Sequence, residues 1–314
     1  MLLLVAVLSA IAVAMLDDMR FAIKRQANLA QAAQADWYIL GTEALARHVL
    51  QASWRANPGR TRLSDPWARS DLRFAVEGGI IGGRIHDASN CFNVNSLVVA
   101  AGPGQLRRDD EQVAVYQRLL RALGLNAAEA EVLADSLADW IDSDNAPDGN
   151  GAEDYHYTGL TPPYRAANSL IADLSEMRAV RGYEAGLYLR LRPYLCAHPD
   201  TAPSPLNINT LQAADAPLLV MALGSAVSLQ TAQALIADRP QQGYATVDQF
   251  LATGPLSGLD LAANAGSRLA LSTRYFRLES EMRYHQVYRR MASLFRLNNA
   301  GEAALVARHW GAPA

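Results

Sequence analysis

The chain has 314 residues, half of them hydrophobic by type, and a net charge of −3. That length is enough for two domains or more, and the near-neutral charge leaves no electrostatic footprint for nucleic acid. Lysine occurs once, at Lys24, so arginine carries nearly all the positive charge. The two cysteines, Cys91 and Cys196, have no CxxC spacing, which argues against zinc and against a thioredoxin-like site.

Met1 to Leu16 carries no charged side chain. As a helix it spans about 24 Å, less than the ~30 Å of a bilayer's hydrocarbon core. A secretory signal has a similar apolar region, and Ala12-Val13-Ala14 resembles a cleavage site. No basic segment precedes the run, however, as expected of a chain whose leader has already been cut away at residue 1. The helical pattern also continues, with no Pro before Pro58 and no Gly before Gly41, while Tyr38, Leu45, Val49 and Ala52 keep one apolar face. One long helix is expected over residues 1–57, greasy at its start for a membrane or a fibre and amphipathic at its end. Trp37, Tyr38 and Trp54 are expected in the core against a sheet.

Asn57-Pro58-Gly59 ends that helix. Leu72 to Asp87 alternates between apolar and polar residues and is punctuated by glycine pairs, the pattern of short strands and tight turns. A third segment, Cys91 to Asn95, leads to Gly102-Pro103-Gly104, so residues 58–104 are expected to form the first part of a small sheet. Residues 105–271 read as short amphipathic helices, among them one marked by Val113, Tyr116, Leu119 and Leu120, one from Ala127 to Ile141, and one from Leu170 to Val180.

Within that block, Leu206-Asn207-Ile208-Asn209-Thr210, two helical patterns and Tyr244 to Leu251 are similar to helix-hairpin-helix modules that grip DNA backbones. The chemistry of such modules is missing. The turn Ala222 to Ser228 has one glycine instead of a Gly-hydrophobic-Gly loop, and Leu229 to Ala237 carries no Lys or Arg. Residues 272–297 alternate again and read as two antiparallel strands with one wet face, followed by a tail over 298–314. The helical block is therefore an insertion between early and late strands of one sheet.

The densest chemistry lies just after Asp139-Trp140-Ile141. Asp142, Asp144, Asp148, Glu153 and Asp154 fall in one Gly- and Asn-containing loop, where they repel one another unless the loop stays open in water or a cation sits among them. Hard oxygen donors on a flexible loop suit calcium better than the stricter octahedron of magnesium. Asp142, Asp144 and Glu153 occupy the first, third and twelfth positions of an EF-hand count. Ala146 and Pro147 break the rest of that pattern, and a solvated acidic turn is the alternative.

The six histidines are dispersed without metal-binding spacing and are read as surface or incidental. No nucleophile elbow, Walker loop or dinucleotide fingerprint occurs. A hydrolase using the acidic loop would lack a nucleophile and a base, so the chain is expected not to be an enzyme. In an oxidising compartment Cys91 and Cys196 would close a loop of about a hundred residues, worth roughly 4–5 kcal/mol on the chain-entropy account. Two free buried thiols are the alternative, and the N-terminal segment favours pairing.

Taken together, the chain reads as α+β: a pilin-like N-terminal helix on a small antiparallel sheet, with a large helical insertion. With Ala138 to Asp144, Gly151 to Tyr155, Pro162 to Asn168 and Leu206 to Thr210, it resembles the K-type minor pseudopilins of type II secretion systems. Most pilin-like subunits have Glu at the fifth mature position, whereas Val5 stands here if Met1 is the mature start; the K type is the family's exception, as suits a subunit with no neighbour above it. The resemblance implies a subunit that initiates and caps a periplasmic pseudopilus with I-type and J-type minor pseudopilins. It would sit above the major pseudopilin shaft, contact exported proteins, and be anchored by one helix in the inner membrane with its globular part in the periplasm. It also implies calcium (Ca2+) in the insertion, with Asp142, Asp144, Glu153 and Asp154 as ligands and Asn145 and Asp148 as weaker candidates. A membrane-anchored DNA-binding protein is the competing reading.

Overall fold

A computed structural model describes residues 1–69 and 72–311; the end of the expected tail, residues 312–314, lies outside them. Helix α1 runs over Leu2–Ala56, uninterrupted because its only helix-weakening residue is Gly41 and no proline falls within it. Its first half is exposed all round. From Ala35 onward one stripe is buried, Ala35, Ile39, Thr42, Glu43, Ala46, Leu50 and Ser53, at the three- and four-residue spacing of a single helical face.

That stripe lies on a five-stranded antiparallel sheet of β1 (Leu72–Val76), β2 (Gly79–Asp87), β3 (Tyr275–Tyr284), β4 (Val287–Leu297) and β5 (Ala303–Trp310), ordered as in the sequence. Two apolar clusters join helix and sheet. Ala35 and Ile39 meet Ile81, Met282 and Met291, while Ala46 and Leu50 meet Trp67, Ile85, Phe276, Leu278 and Phe295. Between them the contact is polar. Glu43 accepts hydrogen bonds from Arg308 Nε and Nη2 at 2.7 and 2.6 Å and from the Ser293 hydroxyl at 2.6 Å. The Thr42 and Ser280 hydroxyls lie 2.7 Å apart.

Three expectations about the helix and sheet change here. Residues 303–310 are not tail but the edge strand β5. The turn before it is closed by Asn298, whose side chain accepts from the Ala300 and Glu302 amides, and by Gly301 (φ 80°), where a Cβ would strike the Trp54 ring. Residues 91–104 do not extend the five-stranded sheet. Phe92–Asn93 pairs in parallel with Leu195–Cys196, and Val98–Gly102 pairs with Gln105–Arg108; Phe92, Val94, Leu97 and Val98 are buried in the helical core. Finally, Trp37 is 72% exposed because it lies off the buried stripe, whereas Tyr38 and Trp54 do pack against the sheet.

Between β2 and β3 the chain builds the helical lobe. Helix α2 (Asp110–Ala122) packs on α3 (Ala127–Ile141) and on the helix Ala216–Leu223, which turns at Gly224 (φ 109°) into Leu229–Ala237. The stretch expected as a helix from Leu170 to Val180 is a 3-10 segment, Leu174–Ala179. A buried polar junction ties the lobe to the sheet. Asp87, the last residue of β2, accepts from the Thr210 and Thr273 hydroxyls, and Asn207 donates to the Thr61 carbonyl and to Thr273.

Candidate metal centre

Helix α3 starts with a reciprocal cap, in which the Asn126 side chain accepts from the Glu129 amide and the Glu129 carboxylate accepts from the Asn126 amide. One face of the helix carries Leu133, Ala134, Leu137, Ala138 and Ile141 into the core. Asp135, Asp139 and the C-cap Asp142 recur at the helical i, i+4, i+7 spacing and are nonetheless buried, at 2%, 0% and 2% exposure. Carboxylates near a helix C-terminus face the negative end of its dipole, so this placement needs compensation.

Asp135 has it. Arg108 Nη2 donates to its Oδ1 at 2.7 Å and the Asn150 amide to its Oδ2 at 3.0 Å. Asp139 has less, since only the Asp148 amide reaches its Oδ1, at 3.2 Å. Asp139 Oδ2, Asp142 Oδ1 and Glu153 Oε1 are buried with no hydrogen-bond donor. Leaving a buried polar atom unpaired is costly, more so for a charged group.

The loop from Ser143 to Ala152 folds back over the end of α3 and closes the site. Gly149 takes a left-handed conformation (φ 54°), and at Gly151 a Cβ would come within 1.9 Å of Asp139 Oδ2. Only glycine permits that approach. Glu153, the N-cap of the short helix Asp154–Tyr157, turns its carboxylate inward and is 3% exposed. Two groups of carboxylate oxygens result, Asp139 with Asp142 and Asp148, and Asp142 with Asp144 and Glu153, each within 4.8 Å and sharing Asp142.

The electrostatics follow from this crowding. Burial, aggravated by neighbouring carboxylates, pushes Asp139 up to about 7, Asp142 up to about 8 and Glu153 up to about 7. A divalent cation among them would restore the charged forms and give the orphaned oxygens a partner. The donors are all hard oxygens, without the imidazole or thiolate that soft metals favour, and they come from an irregular loop; this donor set fits calcium.

Of the ligands expected from sequence, the fold gathers Asp142, Asp144 and Glu153. Asp154 is engaged elsewhere: its Oδ1 accepts from the Ala166 amide at 3.0 Å and its Oδ2 lies 3.4 Å from Arg165. It therefore fastens the Pro162–Asn168 segment and is not among the clustered oxygens. Asn145 accepts from the Asn168 side chain at 3.2 Å. Asp148 joins the first group. Asp139 is the residue sequence reasoning missed, and its signal was the Asp135-Asp139-Asp142 spacing on an otherwise apolar helix.

Cys91 and Cys196 form a disulfide with Cα atoms 5.8 Å apart. His198 beside them is not a surface histidine. It is 2% exposed, stacks on Tyr275 with ring centres 3.8 Å apart, and its Nε2 lies 3.1 Å from the Ala88 carbonyl, to which it donates. Burial lowers its pKa to about 4, so the ring is neutral.

A long N-terminal helix, half exposed and half laid on an antiparallel sheet, defines a pilin-like subunit, here enlarged by a helical lobe with an acidic centre. Family models for type II secretion system protein K match residues 90–200 and 206–272. Type II secretion system protein K of Pectobacterium carotovorum subsp. carotovorum is 36% identical over 312 residues, covering 99% of this chain and 94% of that protein. The Aeromonas hydrophila counterpart is 38% identical, covering 85% of this chain and 83% of its own. In the crystal structure of the GspK-GspI-GspJ complex from the enterotoxigenic Escherichia coli type 2 secretion system, one chain matches with a TM-score of 0.79 and 32% identity, over 91% of this chain and 99% of that one. The chain belongs to the type II secretion system protein K family, and is thus a minor pseudopilin of type II secretion.

Proposed function

We propose that this subunit caps or initiates the periplasmic pseudopilus, as a tip complex with I-type and J-type minor pseudopilins, and that calcium holds its helical lobe rigid there. The observation that carries the reading is the shared architecture, over 91% of the chain, with a protein solved in a complex with its I and J partners. The bulk of the lobe between β2 and β3 agrees with a terminal position, since it obstructs stacking along a shaft but not at an end.

Helix α1 has a window of mean hydropathy 2.2, apolar and long enough to cross a membrane. On this reading it anchors the chain once in the inner membrane and then joins the major pseudopilin shaft, with the globular part in the periplasm. The disulfide suits that oxidising compartment. Exported proteins would meet the helical lobe, and the role is structural, not enzymatic. Calcium is bound by Asp139, Asp142, Asp144, Asp148 and Glu153, and supplies charge neutralisation that lets the loop close over α3. Co-expression of the region after Ala22 with candidate I-type and J-type partners tests the assembly. A stable ternary complex on gel filtration is expected; a chain that elutes alone with both partners present contradicts it.

A further inference from the structure

Arg108 stands at the end of the Gln105–Arg108 strand, and among the described ion pairs it is the cation that reaches carboxylates of the acidic centre, whereas Arg181 Nη1 donates to the loop carbonyls of Asn150 and Gly151. Its Nη2 bonds Asp135 at 2.7 Å, its Nε bonds the exposed Asp110 at 2.9 Å, and the same Nε lies 3.9 Å from Asp148 Oδ2. Nη1 is buried and has no hydrogen-bond acceptor. The strand is fixed to the start of the acidic loop, since the Leu106 amide donates to the Ser143 hydroxyl at 2.7 Å and the Ser143 amide to the Leu106 carbonyl at 3.0 Å. The strand that carries Arg108 is therefore fixed to the loop by backbone contacts, and its guanidinium is held by carboxylates.

Asp148 faces two ways. Its carboxylate belongs to the group with Asp139 and Asp142 and is also within ion-pair distance of Arg108. We propose that Arg108 is a built-in counter-cation, which keeps the loop docked on α3 when calcium is scarce and competes with calcium for Asp148. The proposal rests on the calcium reading above. It assigns Arg108 two effects of opposite sign: it stabilises the calcium-free fold, and it weakens calcium binding, because two cations close to one carboxylate repel. A residue with only a structural role would move both quantities in the same direction.

The test uses the full chain in detergent micelles, with thermal unfolding in EGTA and calcium titration calorimetry. Arg108→Gln is expected to lower the midpoint in EGTA while tightening calcium binding by roughly three- to tenfold. Asp110→Asn, at an exposed side chain that leaves the core untouched, keeps an acceptor but removes the charge that draws Nε away from Asp148, and is expected to weaken calcium binding several-fold. Calcium affinity unchanged or weakened in Arg108→Gln, or unchanged in Asp110→Asn, overturns the proposal and leaves the calcium site standing. Wild-type protein that takes up no calcium overturns both.

Discussion

At the residue scale, the buried carboxylates set the expected response to pH and to divalent ions. In the unfolded chain they ionise near 4, whereas in the fold Asp139 and Glu153 ionise at about 7 and Asp142 at about 8. Between those limits the folded state binds more protons than the unfolded one, so stability without calcium falls as pH rises. Unfolding midpoints in EGTA are expected to drop from about pH 5 to pH 8, and saturating calcium to abolish the drop; a flat profile in EGTA contradicts this. Calcium uptake should also release protons near pH 7, measurable by calorimetry in buffers of different ionisation heats. Asp139→Asn and Asp142→Asn remove a ligand and a source of repulsion together. Each is expected to weaken calcium binding at least about tenfold while raising the midpoint in EGTA. A variant that lowers both would mean these oxygens have partners other than an ion.

At the scale of elements, α1 is held to the sheet by two apolar patches with a charged contact between them. Burial alone would raise the Glu43 carboxyl, but hydrogen bonds from Arg308 and Ser293 more than offset it and the net shift is downward. Glu43→Gln is expected to destabilise by about 2 kcal/mol, since Arg308 is partly solvated and can regain water; equal unfolding midpoints for variant and parent would refute that. The Cys91–Cys196 bond joins residues 105 apart in the sequence. Its reduction is expected to lower stability by up to about 4 kcal/mol, and thiol labelling of unfolded, unreduced protein should find no reactive sulfur. Helix α1 and strands β3 and β4 were legible because unbroken helical sequence and strict alternation report local geometry. Residues 91–104 and 303–310 were not, because alternation does not say which core a strand joins. The latter strand depends on a distant fit, Gly301 against Trp54. Density of acids revealed Asp142, Asp144 and Glu153, while Asp139 was hidden in a helix whose neighbours are all core.

At the scale of the whole molecule, a sheet that would otherwise be a simple meander is opened between β2 and β3 to carry the lobe. Asp87, Thr210, Thr273 and Asn207 make the junction where it leaves and returns. That arrangement lets the pilin-like part keep its helix and sheet while the lobe presents a separate surface, as the proposed capping role requires. The acidic centre lies where the end of α3, the loop and the short helix at Glu153 meet, so calcium bound there is expected to stiffen the lobe more than the docking of α1. The most direct measurement is thermal unfolding of the region after Ala22 in EGTA and in calcium at millimolar concentration. A rise of at least about 5 °C with calcium, and a smaller one with magnesium, is the predicted result; an unchanged midpoint at millimolar calcium would contradict the account.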